Sequence, residues 1–152
     1  EREYSLTTKN RPMFSRPESR KNRWSLNDNY LRFWFRFIFP NQSLIEMGKY
    51  DLLQEVIDRG YEQYSGLVLE KYFRTKIAEE ERITGIGSYW DNKGENEIDV
   101  IAINDLDKTA IVAEVKRNPK KIDMNTLQSK VHSVKELAKY KVELQGLSLE
   151  NM

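Results

Sequence analysis

The 152-residue sequence has no cysteine and a single histidine, His132. The first absence excludes disulfides, thiolate zinc sites and cysteine nucleophiles, and fits a reducing, cytoplasmic compartment. The second excludes zinc centres built on clustered histidines. Metal binding is left to carboxylate oxygen, the preference of Mg²⁺, Mn²⁺ and Ca²⁺. Strong net charge is also missing. Lys and Arg total 25 against 24 Asp and Glu, a balance of +1, so any nucleic-acid surface must be local. No signal-peptide pattern appears, nor an uninterrupted apolar span of about 18 residues, and no membrane association is expected.

What is present argues for a folded, soluble domain with a core, since 39% of residues are hydrophobic, 11% aromatic and 32% charged. The chain begins at Glu1 without an initiator methionine, in a strand-like stretch, and reads as a fragment of a longer protein.

Three stretches differ in character. Residues 1–28 carry two strand-like pieces, Glu3–Leu6 and Arg23–Leu26, joined by a loop with Lys9, Arg11, Arg16, Arg20, Lys21 and Arg23. Such a basic loop is either a wing that touches a phosphate backbone or a solvated, mobile loop. Residues 29–60 form a helical connector. Asn27, Asp28 and Asn29 offer N-cap chemistry to the aromatic run YLRFWFRFIF, which stops at Pro40. Only Arg32 and Arg36 are polar in it, so this helix is expected to be buried nearly all round or to pack against another domain. A second helix, about 43–58, is expected to end at Gly60.

Residues 61–152 hold the chemistry. A helix runs from Tyr61 to about Glu81, with Glu70 on its apolar stripe. A carboxylate there is costly unless paired or bound, so Glu70 snorkels, pairs with a nearby Arg or Lys, or serves a site. Gly66, one turn earlier, would let another backbone approach. A strand at 86–90, a turn through residues 91–94 and a hairpin follow, then a helix from about Asp123 to Tyr140 and a last strand at 141–149. The order is α-β-β-β-α-β.

The hairpin, NEIDVIAINDLDKTAIVAEVK, pairs residues 96–103 with 109–116 around a short turn. If Ile98, Val100 and Ala102 share a side with Ile111, Ala113 and Val115, then Asp99 falls opposite Glu114 and Glu97 opposite Lys116. Facing carboxylates repel and need a cation between them. Lys116 is one candidate and a divalent metal the other. The bland alternative is a salt-bridged rim.

With Glu70 on the first helix, Glu97-Ile98-Asp99 on the second strand and Glu114-Val115-Lys116 on the third, this arrangement resembles the PD-(D/E)XK nuclease superfamily. Ile98 stands where the motif's name has proline. The resemblance implies an α/β fold with a mixed sheet and helices on both faces. It also implies that Asp99, Glu114 and the Val115 carbonyl bind Mg²⁺ or Mn²⁺, with Glu70 holding a metal-bound water or a second ion. Lys116 would then position the attacking water or offset charge on the phosphate, with Glu97 as a neighbour. DNA is the implied partner. Arg117, Lys120 and Lys121, and less directly Arg16, Arg20 and Lys21, are candidate phosphate contacts, although charge runs are commonly just solvated.

The segments DNYLRFWFRFIFPN, GLVLEKYF, NEIDVIAI and AEVK give the chain a narrower resemblance. It is similar to the C-terminal part of a family of prokaryotic AAA-type ATPases, in which an ATPase domain and a winged helix precede a domain of unknown function. Residues 1–28 would then be the wing-like tail of the winged helix, and ATP would act only through the missing N-terminal domain, as no Walker A motif is present. The expected function is Mg²⁺-dependent DNA cleavage. The alternative is an inactive nuclease-fold module for DNA binding or ATPase oligomerisation, with the aromatic helix as an interface.

Overall fold

A computed structural model of the chain describes residues 6–18, 21–91, 94 and 96–152. They fall into two compact units. One comprises the described residues up to Asn10 together with Arg23–Val68, and the other comprises the described residues of 11–22 and Leu69–Met152.

In the first unit, β1 (Thr7–Asn10) pairs antiparallel with β2 (Arg23–Leu26). The second strand lies where the sequence predicts it. The first begins at Thr7, and residues 3–5 of the expected strand lie outside the described residues. Polar pairs fix this ribbon: the Thr8 hydroxyl donates to Asn27 Oδ1 (2.7 Å) and the Asn10 amide to Ser25 Oγ (2.8 Å).

The Asp28 carboxylate caps α1 (Asn29–Phe33) by accepting the Leu31 N–H at 2.8 Å. The helix then widens into a π-turn, Trp34–Ile38, and tightens into a 3₁₀ turn, Phe39–Asn41. The expectation that this segment is buried nearly all round fails within the chain. Only Phe37 is buried, while Tyr30 is 68%, Phe35 51% and Phe39 54% exposed. Eight apolar residues in ten spread around the whole circumference of a helix, and one neighbouring helix covers only one side. That side carries Phe33 and Phe37, whose rings meet Tyr64 edge-on at 5.7 and 5.8 Å.

After the short α2 (Gln42–Glu46), Gly48 takes a φ of +67°, which breaks the helix. A single long helix, α3 (Tyr50–Glu80), then replaces the two predicted on either side of Gly60. Gly60 does not stop it. A Cβ there would stand 2.6 Å from a ring carbon of Phe37, so the missing side chain is the seat of that ring. Gly66 has no such neighbour. Nothing among the described residues comes within 4 Å of a Cβ built there, contrary to the expected backbone approach.

The second unit is mixed α/β. Four strands, β3 (Gly85–Trp90), β4 (Glu97–Asn104), β5 (Thr109–Val115) and β6 (Lys141–Leu147), form a sheet in sequence order. The first three are antiparallel and β6 runs parallel to β5. A parallel return needs a crossover, supplied by α4 (Met124–Ser133), which the Asp123 carboxylate caps by accepting the N–H groups of Asn125 and Thr126. This helix ends at Ser133 rather than Tyr140. Val134 is extended and a 3₁₀ turn occupies Lys135–Lys139. The buried residues there, Val134, Leu137 and Tyr140, recur every third position, which matches a 3₁₀ period.

The element order from α3 onward is α-β-β-β-α-β, with helices on both faces. Leu69, Phe73 and Ile77 of α3 pack with Val100, Ala102, Ala113 and Val115. On the other side, Leu127, Val134, Leu137 and Tyr140 pack with Ile101, Ile103, Ala110 and Val112. Asn104 closes the hairpin. Its side-chain oxygen accepts the N–H groups of Leu106 and Asp107, and its amide donates to the Arg82 carbonyl and to Asp107.

The described part of the basic loop 11–22 neither projects as a wing nor floats free. The Met13 N–H donates to the Ser88 carbonyl (2.8 Å), the Trp90 indole donates to the Lys21 carbonyl (3.2 Å), and Pro12 is buried. Met13 lies over Gly87, where a Cβ would come within 2.9 Å of its sulfur. The loop thus covers the edge strand β3, a common protection of unpaired strand edges. Among the described residues no helix is long and apolar enough to cross a membrane.

Candidate functional site

The hairpin register is the expected one. Asn104 pairs with Thr109, Ile101 with Val112 and Val100 with Ala113. Beyond that point the strands part from the simple pattern. Asp99 does not merely face Glu114. Its Oδ2 accepts the Val115 backbone N–H at 2.8 Å and lies 3.4 Å from the Lys116 ammonium. The same ammonium is 3.4 Å from Glu114 Oε1, while Glu114 Oε2 accepts the Asp123 N–H at 3.0 Å. Lys116 is therefore the cation between the two carboxylates, both of which are largely buried (side chains 14% and 10% exposed). Burial alone would depress the Lys116 pKa, but Asp99 and Glu114 outweigh it and hold the value above that of an ordinary lysine.

A β-bulge explains how Asp99 reaches this position. Toward β3, Ile101 pairs with Gly87 but Ile98 pairs with Tyr89, so Asp99 and Val100 together oppose the single residue Ser88. The extra residue shifts the alternation of β4 by one. Ile98, expected beside Val100, instead joins Ile101 and Ile103 in the cluster under α4. Glu97 is correspondingly turned away from the face assigned to it, and it pairs with Trp90. The expected partnership of Glu97 with Lys116 lies beyond the paired register of β4 and β5, which runs from Val100 to Asn104.

Glu70, on α3, belongs to the same neighbourhood. Its pKa is pushed up to about 7, first by burial and then by Asp99, with a smaller push from Glu97, while Arg74 and Lys116 pull it down. A carboxyl that holds its proton toward neutrality is a recurrent feature of working sites, though structural networks produce it too. Arg74, one turn after Glu70, donates from Nη1 to Ser88 Oγ (2.7 Å), and Ser88 donates to the Asp99 carbonyl (2.9 Å). Neither residue stands out in the sequence as functional. The only signal for Arg74 was its spacing of four from Glu70, and the bulge that gives Ser88 its role leaves no mark in an apolar run.

The structure thus unites Asp99, Glu114 and Lys116, with Glu70 within electrostatic reach. The acidic side chains of this neighbourhood, Asp99, Glu114 and Glu70, offer oxygen donors only. That chemistry fits Mg²⁺ or Mn²⁺ rather than zinc. Among the described residues, however, no group of three or more carboxylate, histidine or cysteine side chains is gathered as a metal cage. Arg117, Lys120 and Lys121 lie in the segment leading from Lys116 to the cap of α4. There the Asn118 side chain accepts the Lys120 N–H, and Lys120 and Lys121 are exposed. Arg16 and Lys21 belong to the loop on β3, and Arg20 lies outside the described residues.

A family model described as archaea and bacterial proteins of unknown function, DUF234, matches residues 34–130. This chain belongs to that family. The match takes in the aromatic helix from Trp34 onward, α3, the hairpin and most of α4, and so includes all four clustered side chains. The DUF234 chain is also 41% identical over 112 residues to Uncharacterized protein MJECL04 of Methanocaldococcus jannaschii. The aligned segment covers 69% of this chain and 25% of that relative. No solved structure matches the chain.

Proposed function

We propose that the second unit is a PD-(D/E)XK nuclease-like domain and that Glu70, Asp99, Glu114 and Lys116 are its centre for Mg²⁺-dependent cleavage of DNA phosphodiesters. The single observation that carries this reading is the Lys116 ammonium held 3.4 Å from the carboxylates of both Asp99 and Glu114, groups delivered by adjacent strands. The element order and the helices on both faces agree with it.

A divalent ion held by Asp99, Glu114 and the Val115 carbonyl would supply Lewis-acid polarisation of the phosphate. The chain's own residues do the rest. Lys116 gives up part of its pairing to the carboxylates and offers its charge to the phosphate oxygens as negative charge grows there. Glu70, with its pKa raised to about 7, is partly ionised at neutral pH. In that form its carboxylate takes the proton the attacking water loses and can pass it on to the leaving oxygen. The peptide N–H of Val115 keeps Asp99 fixed while this happens. Arg117, Lys120 and Lys121, exposed or half-buried just past Lys116, would offer positive charge to the phosphate backbone. The relative four times longer than the aligned segment leaves room for the ATPase domain that the sequence resemblance implies, and that domain would govern access of DNA to the site.

The test is nicking of supercoiled plasmid and of single-stranded DNA by the chain in Mg²⁺ or Mn²⁺. Activity is expected to require the ion and to vanish in Asp99→Asn and Lys116→Ala. A second reading, a non-catalytic module of the same fold, is favoured by the large exposure of Tyr30, Phe35 and Phe39. It expects DNA retention or self-association that survives both substitutions and needs no divalent ion.

A further inference from the structure

We propose that Arg74 and Ser88 are positioning residues that lock the β-bulge at Asp99 and thereby aim the Asp99 carboxylate at the Val115 N–H and at Lys116. The significance of this for catalysis rests on the nuclease reading. The positioning itself does not.

Because Asp99 and Val100 share one partner residue on β3, the regular ladder cannot serve every backbone group there. A carbonyl removed from water and left without a donor is destabilising, and the partly buried Asp99 carbonyl takes its donor from the Ser88 hydroxyl. A hydroxyl has one proton and two lone pairs. Its proton goes to Asp99, so it can still accept, and the Arg74 guanidinium donates to it at 2.7 Å. A charged donor strengthens the chain of bonds and fixes the rotation of the hydroxyl.

The chain also ties three elements together. Arg74 projects from α3 one turn after Glu70, Ser88 sits on β3, and Asp99 on β4. The main chain of Asp99 is thus held on one side by Ser88, while its carboxylate is held on the other by Val115 and Lys116. If the bulge relaxed to a regular strand, Asp99 would return to the alternation of Ile101 and Ile103, whose side chains pack under α4. Glu70 lies on the helix of the opposite face. The bulge is therefore what allows Asp99 and Glu70 to share one neighbourhood.

The test reads the Val115 amide directly, by hydrogen exchange followed residue by residue, in the metal-free chain without DNA. In Ser88→Ala the Val115 amide is expected to exchange about tenfold faster, corresponding to loss of roughly one hydrogen bond's stabilisation. Val112 and Ala113 should change less than about twofold on the same scale. Ser88→Thr, which keeps a hydroxyl, is expected to restore protection. Arg74→Met, which leaves the hydroxyl in place, should give the same local signature at smaller size, and it carries the test if Ser88→Ala fails to fold. Unchanged Val115 exchange overturns the proposal, as does uniform acceleration of all sheet amides, which marks a general packing role. Calorimetric titration with Mn²⁺ separates the two readings. Wild-type protein that binds no Mn²⁺ would count against the nuclease assignment, while the exchange result would still decide the clamp.

Discussion

The aromatic helix at residues 29–41 and the β4–β5 hairpin are both rich in apolar residues, yet one is mostly open and the other mostly sealed. Of the helix only Phe37 is buried, whereas Val100, Ile101, Val112 and Ala113 of the hairpin are fully covered. The difference lies in geometry. A strand has two faces, and α3 and α4 each cover one of them. A helix presents its side chains around a full circle, and the first unit supplies one neighbour along one arc. Apolar content says what a segment will tolerate. Burial depends on whether a complementary surface exists.

That contrast can be broken or sharpened by substitution, with denaturant unfolding as the measurement. Phe73, 2% exposed under the hairpin, should be the costliest truncation, with Phe73→Ala losing about 4 kcal/mol.

Glu70→Gln should act in the opposite direction and depend on pH. The folded pKa of Glu70, about 7, lies above its ordinary value of 4.5. The carboxyl is neutral in both folded and unfolded chains below pH 4.5 and costs nothing there. Stability falls as pH rises from 4.5 toward 7, while only the unfolded chain ionises, and above 7 the full penalty applies. Removing the charge should therefore stabilise the metal-free protein by up to about 3 kcal/mol at pH 8 and have little effect at pH 4. A pH-independent effect would show that Glu70 is not held protonated.

Lys116→Met leaves Asp99 and Glu114 together without their cation, and a loss of about 2 kcal/mol at neutral pH is expected, allowing for the partial exposure of the ammonium. If Asp99→Asn is added, most of that loss should return, because the repulsion goes with the charge.

The smaller effects concern two glycines of α3 that are expected to differ in sign. Gly60→Ala must displace the buried Phe37 ring and should cost about 1 kcal/mol net of the better helix propensity. Gly66→Ala meets nothing among the described residues and should stabilise by about 0.5–1 kcal/mol. Phe35→Ala, at 51% exposure, should stay within about 0.5 kcal/mol in the isolated chain. A larger loss there would reveal a covering partner, such as a second copy.

How much of this was legible in the sequence follows the same physics. The hairpin register could be read because period-two alternation and a turn-rich break are local signals. It sets Asp99, Glu114 and Lys116 at the same end of the hairpin, where the bulge then directs Asp99. The end of α4 could not, because Val134, Leu137 and Tyr140 fit a helical stripe nearly as well as the 3₁₀ turn they adopt. Gly60 looked like a stop because its role depends on Phe37, 23 residues away. The bulge was invisible since Val100, Ile101, Ala102 and Ile103 are apolar whichever way they face. It moved Ile98 to the other core and left the neighbourhood of Asp99 to Arg74 and Ser88.

Asn104 has a consequence at a distance. By gripping Leu106, Asp107 and the Arg82 carbonyl, it marks the zero of a ruler along which β4 and β5 are measured against each other. The far graduation, five residues on, is where an acid from one strand and an acid and an ammonium from the next must coincide. Adding a single residue to the tip at 105–108 would leave both cores chemically unchanged yet slide one scale past the other, exchanging greasy and ionic positions at the opposite end. A surface turn thereby holds the alignment on which the Asp99, Glu114 and Lys116 cluster depends.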